Sequence, residues 1–315
     1  MLGGSGFIGT RLIPLLSREY PDVRIGDLVS SRVFPQLWTH CDVRQEESLS
    51  PLLAGAGAII NLAAEHRDDV RPLSRYFDTN VLGSKCVCSA AETASIGKIV
   101  FTSSVAVYGF QPAPVDENGP FHPFNEYGKT KLEAEGAYRE WAAKDSSRTL
   151  IIVRPTVVFG EGNRGNVYNL LRQIACKHFL MVGSGDNFKS MAYVGNIAAF
   201  LAHTLSLPSG VHIFNYVDLP DMSTRNLVDH VKHRLGYPPR SLHLPSGLAM
   251  AGGHVLDLLA RMTGRTFPIS AVRIRKFCQR TQFVADKAFQ SGFVPPYTLA
   301  EALNRTIDVE FTAAP

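Results

Sequence analysis

The chain has 315 residues, of which 45% are hydrophobic and 19% charged, and its formal net charge is +4. This composition is typical of a globular protein with one large or two modest domains, and the small net charge argues against a nucleic-acid partner. The five cysteines form neither a CxxC pair nor a metal-ligand spacing, so we predict reduced thiols, no bound metal and a cytoplasmic location.

The first half of the chain alternates short apolar runs with helical stretches, which is typical of a parallel sheet covered by helices. The fold class expected from this alternation is α/β, a doubly wound parallel sheet. The second half has longer connections and indicates a smaller lobe, with a strand near 211–216 that returns to the first sheet. We predict strands at 23–25, 58–62, 99–102 and 150–153, and helices at 7–18, 73–94 and 125–143.

The chain opens with three glycines, Gly3, Gly6 and Gly9, in a GxxGxxG spacing at a predicted turn into a helix. Such a turn lets a pyrophosphate approach bare backbone, and the helix N-terminus supplies N–H donors and a partial positive charge. The spacing alone is weak evidence, because runs of small residues open many helices. A strand of about five residues is expected before such a turn, but only Met1 and Leu2 precede Gly3, so the presence of the whole first strand stays open.

Two aspartates are candidates for contacts with an adenosine, and the first of them, Asp27, follows the strand predicted at 23–25. A carboxylate at Asp27 accepts hydrogen bonds from ribose hydroxyls and repels a 2′-phosphate. No arginine follows it directly, so the sequence favours NAD over NADP. The alternative for Asp27 is an ordinary turn aspartate. Asp42, with Val43 beside it, is the second candidate and would similarly contact the adenine.

Tyr127 and Lys131 lie four residues apart on a predicted helix and therefore on one face of it. A close cation lowers the pKa of an acid by about 1–3 units, which would make Tyr127 a general base near neutral pH. Ser104, at the end of a predicted strand, would hydrogen-bond the reacting oxygen. The YxxxK spacing is common by chance, but with the hydroxyl cluster and the glycine turn it indicates hydride and proton transfer between a sugar alcohol and a nicotinamide ring.

Motifs along nearly the whole chain resemble an extended short-chain dehydrogenase/reductase of the NAD-dependent epimerase/dehydratase family. The resemblance implies a Rossmann sheet, NAD as cofactor, an NAD-binding domain at 1–155 and a mainly substrate-binding lobe at 156–315. The motifs are GGSGFIG at 3–9, DV at 42–43, NLAA at 61–64, NVLG at 80–83, SSVAVYG at 103–109, YGKTK at 127–131, RPT at 154–156 and YVGNIA at 193–198.

Carried over position by position, the resemblance assigns Ser104, Tyr127 and Lys131 as the catalytic residues. Asn80 also matches a family position, where a structural hydrogen bond is as good an explanation as a ligand contact. The implied NAD site consists of Gly3, Gly6, Phe7, Ile8, Gly9, Asp27, Asp42, Val43, Leu62, Ala63, Ala64, Tyr127, Lys131 and Pro155.

Two departures from the family pattern narrow the expected reaction. Dehydratases of the family show Thr-Asp-Glu where this chain has Ser103-Ser104-Val105, so the acid/base pair for eliminating water is absent. Nucleotide-sugar epimerases show Arg-Asp where this chain has Lys189-Ser190, and their Arg-x-Gly-Asp element before 283–288 is not recognisable. Those residues help to hold a nucleotide diphosphate, so a UDP-bound substrate is less expected.

The segments 63–70, 163–171 and 189–196 resemble the bacterial subgroup that epimerises C4 of N-acetylglucosamine on undecaprenyl diphosphate during O-antigen and lipopolysaccharide synthesis. The resemblance implies an isomerase that interconverts GlcNAc and GalNAc on this lipid through a transient 4-keto sugar. In it, His66 and Arg67 would touch the substrate; a surface loop is the alternative for them. Other open alternatives are a UDP-hexose (UDP-GlcNAc or UDP-Glc) 4-epimerase, a nucleotide-sugar reductase and an NAD-sensing scaffold. The sugar, the direction of flux and the oligomeric state, including a homodimer, stay open.

The most apolar run of the chain, 244–260, is shorter than the ~20 residues of a membrane span and contains Pro245, His254 and Asp257. Basic residues crowd the stretch that follows. We therefore predict peripheral contact with anionic lipid at the inner face of the bacterial inner membrane; the alternative is a buried helix before a solvated basic segment. The basic residues are Arg261, Arg265, Arg273, Arg275, Lys276 and Arg280.

Overall fold

A computed structural model describes residues 1–67, 69–238, 242–263 and 271–312, and for 258–262, 272–273 and 275–276 it describes the backbone alone. Asp68 and Arg265 therefore lie outside the described residues, as do the side chains of Arg261, Arg273, Arg275 and Lys276. Among the described helices, none combines the length and the apolar character that crossing a bilayer requires.

The strands are short, and the longest ones belong to the central sheet. In chain order they are β1 Ile25–Asp27, β2 Trp38–His40, β3 Ile59–Asn61, β4 Lys98–Thr102, β5 Thr149–Pro155, β6 Val157–Phe159, β7 Met181–Val182, β8 Phe188–Lys189, β9 Met191–Tyr193, β10 Gly210–Tyr216, β11 Met222–Ser223 and β12 His243–Leu244.

Helices follow most of the central strands. In chain order they are α1 Gly9–Leu16, α2 Glu46–Leu53, α3 Ser74–Tyr76, α4 Gly83–Thr93, α5 Glu126–Ala143, α6 Asn166–Ala175, α7 Val194–Thr204, α8 Thr224–Arg234, α9 Ser246–Thr263, α10 Ala271–Cys278, α11 Asp286–Gln290 and α12 Leu299–Ile307.

The central sheet is parallel, and its strand order is that of a doubly wound fold, as predicted. β10, β5, β4 and β3 pair in that order, and β1 pairs with β2. Leu2 joins the two groups, because it forms parallel bridges to Gly26 on one side and Asn61 on the other. The chain reverses its direction of winding at Leu2, and in open α/β sheets ligands bind at such a point, beside the carboxyl ends of the strands.

Both faces of this sheet are buried, which explains the continuous apolar runs in its sequence. In β4, Ile99 and Phe101 pack in one apolar cluster while Val100 packs in the other. Leu150 and Ile151 of β5 divide between the clusters in the same way. Since successive side chains of a strand point to opposite faces, helices must cover both sides.

Several predicted elements differ from the observed ones at their boundaries. The strand predicted at 23–25 runs instead from Ile25 to Asp27. The helix predicted at 73–94 is divided, because a π-helical stretch at Phe77–Leu82 separates α3 from α4. The strand predicted near 211–216 is β10, and it does return to the first sheet beside β5.

The chain divides into two compact units that are not continuous in sequence. The first consists of Met1–Val158, Met191–Asp218 and Phe283–Thr298. The second consists of Phe159–Ser190, Leu219–Gln282 and Leu299–Pro315. All residues predicted for catalysis and cofactor binding belong to the first unit, whereas Lys189 and Ser190 belong to the second.

Candidate active site

The glycine turn between Leu2 and α1 has room for glycine alone at its first position. Gly3 has φ +71°, and a Cβ built there would lie 2.6 Å from the backbone nitrogen of Ala63. The Gly3 amide donates to the carbonyl of Gly26 at 2.8 Å. The turn is thus held against the ends of β1 and β3, with Gly6 exposed and Gly9 buried at the start of α1.

Asp27 is the last residue of β1, and its carboxylate contacts the glycine turn directly. One oxygen accepts from the Ser5 amide and the other from the Val29 amide, both at 3.1 Å. An ionised carboxylate offers about four acceptor sites, so Asp27 can still accept from ribose hydroxyls.

Asp42 follows β2, and its carboxylate already has an ion-pair partner. Arg44 donates to it through Nε at 2.8 Å and Nη2 at 2.6 Å, and this contact lowers the pKa of Asp42 below its usual range. Val43 is buried against Gly83, where an added Cβ would lie 2.9 Å from the valine side chain. The predicted adenine contact at Asp42 therefore has to share that carboxylate with Arg44.

The remaining predicted cofactor residues lie at the carboxyl ends of strands or in the turn before α1. The Leu62 amide donates to the Leu2 carbonyl at 2.9 Å, and the Ala63 amide donates to Asn61 Oδ1 at 3.0 Å. Ala64 continues this segment and is partly buried. Pro155 is the buried last residue of β5. Phe7 and Ile8 are partly buried in the turn.

Ser104 and Tyr127 are in contact, although their elements are separated by a long loop. Ser104 caps a short 3-10 turn at Val105–Val107, where its Oγ accepts from the Ala106 amide at 3.1 Å. Tyr127 lies in the first turn of α5 and shares a hydrogen bond with Ser104. Burial raises the pKa of Tyr127 to about 12, and the bond to Ser104 opposes that rise.

A close approach of backbone to backbone brings α5 to the turn that carries Ser104. A Cβ built on Gly128 would lie 2.5 Å from the carbonyl oxygen of Ala106. Asn125 caps the helix, and its Oδ1 accepts from the Gly128 amide at 2.9 Å. Gly128 is therefore required by packing, a role that its place in the YGKTK segment did not reveal.

Lys131 lies one turn after Tyr127 and is 2% exposed. Its Nζ donates to the carbonyl of Thr102 at 2.7 Å and lies 4.5 Å from the centre of the Phe101 ring. Burial lowers the pKa of Lys131 to about 7, while Glu135 opposes this effect. In this structure burial raises the pKa of Tyr127, whereas the sequence analysis expected a lowered one; the support of the tyrosinate by Lys131 stays a prediction.

A buried polar network beneath these residues was missed by the sequence analysis. It joins α5 to the ends of the central strands and contains a fully buried ion pair between Glu135 and Arg154. The sequence does contain one signal for it, because the charged residue Arg154 directly follows the apolar run Leu150–Val153. The members of this network are Ser103, Tyr108, Glu117, Glu135, Arg154 and Asn215.

Two further sets of candidates have structural partners. Asn80 accepts from the Glu65 amide at 2.8 Å and donates to Thr130 Oγ1 at 3.0 Å, which is the structural alternative stated for it. His66 and Arg67 are exposed, and Arg67 pairs with Asp69 at 3.2 Å. In the second unit, Lys189 Nζ donates to the Gln279 carbonyl at 2.5 Å, and burial lowers its pKa to about 8.

Two orphaned polar atoms indicate that the glycine turn and the adjacent strand end fit a dinucleotide. Among the residues that the structure describes, five buried side-chain N or O atoms lack a hydrogen-bond partner, and two of them, Ser5 Oγ and Thr102 Oγ1, lie at the predicted cofactor site. A buried hydroxyl without a partner is costly, and a bound ligand can remove that cost. Ser5 belongs to the glycine turn itself, and Thr102 ends β4, next to Ser103 and Ser104.

Comparison with known proteins agrees with this arrangement. Residues 1–215 match the model of the NAD dependent epimerase/dehydratase family. The chain is 48% identical to the N-acetyl-alpha-D-glucosaminyl-diphospho-ditrans,octacis-undecaprenol 4-epimerase of Escherichia coli O157:H7, over 100% of this chain and 95% of that protein. It is 25% identical to the UDP-glucose 4-epimerase of Vibrio cholerae, over 97% of this chain and 93% of that protein.

Solved structures show the same fold at low sequence identity. MoeE5 in complex with UDP-glucose and NAD has a TM-score of 0.76 and 22% identity, covering 98% of this chain and 96% of that one. UDP-glucuronic acid 4-epimerase from Bacillus cereus in complex with NAD has a TM-score of 0.75 and 17% identity, with the same coverage of 98% and 96%.

Proposed function

The chain belongs to the NAD dependent epimerase/dehydratase family, and we propose that it inverts C4 of N-acetylglucosamine carried on undecaprenyl diphosphate. It is an NAD-dependent isomerase that interconverts the GlcNAc and GalNAc forms of this lipid-linked sugar. The observation that carries the proposal is 48% identity over the whole chain to an enzyme named for that substrate. The UDP-glucose epimerase of Vibrio cholerae is far less similar, at 25%.

Bound NAD supplies the site with a carrier that accepts hydride from C4 and returns it. The turn into α1 would hold the pyrophosphate, and Asp27 would accept from the adenosine ribose. The other residues proposed to line the cofactor are Phe7, Ile8, Asp42, Val43, Leu62, Ala63, Ala64, Tyr127, Lys131 and Pro155.

Three side chains handle the proton of the sugar 4-hydroxyl. Tyr127 takes this proton as general base. It gives the proton back after the 4-keto sugar has rotated in the site to present its opposite face. Ser104, already bonded to Tyr127, holds the sugar oxygen in line with it. Lys131 supports the tyrosinate by its positive charge, which matters because burial alone holds Tyr127 protonated.

The substrate assignment is tested by offering the purified protein two donors in separate reactions. One is N-acetylglucosaminyl diphosphate on a polyprenol, and the other is UDP-N-acetylglucosamine. We expect the C4 epimer to form from the lipid-linked sugar and NAD to stay bound through many turnovers. If only the UDP sugar is converted, the protein is a UDP-hexose 4-epimerase instead. Release of NAD at each turnover would indicate a reductase.

We further propose that the protein works at a membrane surface, which it contacts through helix α9 of the second unit. Helix α9 carries apolar side chains that face water, since Leu248 is 64% and Val255 57% exposed. These residues are seven apart and share one face of the helix with Ala251 and Gly252, which are exposed too. Such a face, followed in the sequence by basic residues, suits the headgroup region of an anionic bilayer.

A further inference from the structure

Lys131 and Glu135 are buried residues of opposite charge on consecutive turns of α5, and Glu135 forms its ion pair with Arg154. Lys131 is 2% and Glu135 1% exposed. Residues four apart on a helix share a face, so the carboxylate of Glu135 lies on the same side of α5 as the Lys131 ammonium. The pair lies inside the first unit, next to the strand end that carries Ser104.

The Glu135 carboxylate is held from two strands. Its Oε1 accepts from Ser103 Oγ at 2.6 Å and from Arg154 Nε at 2.8 Å. Its Oε2 accepts from Arg154 Nη2 at 2.5 Å, which completes a bidentate pair with a guanidinium that is 0% exposed. Arg154 Nη1 in turn donates to the Tyr108 hydroxyl at 2.6 Å.

A gain in stability does not by itself explain why the Glu135–Arg154 ion pair is buried. Removing two charges from water is costly, and apolar side chains of similar size often stabilise a core as well as a buried ion pair does. The location of the pair is more informative. Ser103 donates to Glu135, and its neighbours on either side are Thr102, whose carbonyl accepts from Lys131, and Ser104, which contacts Tyr127.

We propose that Glu135 is a positioning residue for the epimerisation, keeping Lys131 an ammonium ion and holding the strand end Thr102–Ser104 against α5 through Ser103. This inference rests on the proposed function of Tyr127 as base. Burial lowers the pKa of Lys131 to about 7, and Glu135 is the charged group that opposes this. The other charged or titratable groups packed around the pair are Arg154, Tyr108, Tyr127 and, at 3.7 Å from Glu135, Arg139.

The sign of the expected pH effect follows from these charges. Turnover needs a protonated Lys131, so the rate falls as the pH rises through the pKa of that group. Without the negative charge of Glu135 this pKa drops further, because nothing then opposes the effect of burial and the positive charge of Arg154 is left uncompensated. The alkaline limb of the rate profile therefore moves to lower pH, whereas a purely structural residue would lower the rate at every pH.

The test compares pH profiles of kcat for the holoenzyme and three variants. Glu135→Gln removes the charge but keeps an oxygen acceptor, and we expect its alkaline limb to move down by about one pH unit or more. Glu135→Asp keeps the charge and should keep the limb near its original pH, even if the rate falls. Glu133→Gln, an exposed site on the same helix, is the matched control and should leave the profile unchanged.

A second measurement does not depend on turnover or on the substrate. Titration of carbon-13-labelled lysines by NMR, with Lys131 assigned by its absence in Lys131→Met, should show a lower pKa in Glu135→Gln than in the original protein. If Glu135→Gln does not fold, the double variant Glu135→Gln/Arg154→Met removes both buried charges and takes its place. An unchanged Lys131 titration overturns the inference, whereas an inactive original protein with a shifted titration overturns only the proposed function.

Discussion

Burial has the largest effect on the pKa values of Tyr127, the proposed base, and of Lys131 beside it in the helix. It raises the pKa of Tyr127 to about 12 and lowers that of Lys131 to about 7, in each case by disfavouring the charged form. The proposed chemistry needs both charged forms at once. The site therefore depends on the groups that restore those charges, namely Lys131 for the tyrosinate and Glu135 for the ammonium.

Replacing Tyr127 by Phe tests the base directly. The ring and its packing are kept, while the ionisable group is lost, so we expect turnover to fall by about 10²–10⁴-fold. Bound NAD should remain, because the glycine turn and Asp27 are untouched. The measurements are kcat with the lipid-linked sugar and NAD content after purification. Near-normal turnover would show that another group takes the proton.

We expect Asp27 to determine the preference between the two nicotinamide cofactors, NAD and NADP. Its carboxylate lies at the end of β1, where a 2′-phosphate would meet a negative charge, so NAD should bind more tightly than NADP. Calorimetric titration of both cofactors into cofactor-free protein measures the difference. The control is Asp22→Asn, which removes an exposed carboxylate elsewhere and should leave the preference unchanged. Equal affinities would mean that Asp27 only supports the turn.

At the scale of elements, helix α5 carries both Tyr127, the proposed base, and Lys131, and it connects them to the sheet. Its first turn approaches the carbonyl of Ala106 through Gly128, and its third turn reaches Arg154 through Glu135. A shift of this helix would thus change the position of Tyr127 and the surroundings of Lys131 together. Two glycines of α5 allow this to be tested with one kind of substitution.

Gly128→Ala and Gly136→Ala should have opposite effects. At Gly136 an added Cβ meets nothing within 4 Å, so alanine should raise the free energy of unfolding by about 0.5–1 kcal/mol through its better helix propensity. At Gly128 the Cβ would lie 2.5 Å from the Ala106 carbonyl oxygen, so alanine should destabilise the fold and reduce kcat. Urea unfolding and kcat of both variants measure this, and a stabilised, fully active Gly128→Ala would contradict the packing described.

The elements that could be predicted are those with a local cause. β4 and β5 could be predicted because both of their faces are buried, which gives continuous apolar runs. Ser104, Tyr127 and Lys131 could be proposed because they lie in short motifs. The π-helical stretch at Phe77–Leu82 has no such local signal. Glu135 was missed because its partners, Arg154 and Ser103, are 19 and 32 residues away in the chain. Only the pairing of strands brings them together.

At the scale of the whole molecule, the proposed membrane contact concerns the second unit, through α9 and the basic residues that follow it. Each basic residue near an anionic surface contributes about 1 kcal/mol, so several together can hold a protein there reversibly. The described side chains supply the apolar part of this argument, Leu248 and Val255. The sequence supplies the charges.

We expect salt-sensitive co-sedimentation with vesicles that contain anionic lipid. Changing Arg273, Arg275 and Lys276 to Glu should weaken binding, because it replaces attraction by repulsion. The matched control changes Arg18, Lys85 and Arg172, all exposed and outside this stretch, to Glu; it has the same net charge and should bind more strongly than the first variant. Should the original protein remain in the supernatant at low salt, the peripheral location is wrong and a soluble nucleotide sugar becomes the better substrate.

The discontinuous make-up of the first unit has a consequence for biosynthesis. Its last stretch, Phe283–Thr298, supplies Ala288 and Phe293 to the core, and the Val284 amide donates to the Val115 carbonyl at 2.8 Å. The ribosome synthesises this stretch long after the glycine turn, so the earlier parts of the first unit expose apolar surface until Phe283–Thr298 has been made. Contacts so distant in sequence slow folding and favour aggregation of incomplete chains. Chains that stall before Phe283 should therefore be substrates for chaperones and proteases rather than folded half-enzymes.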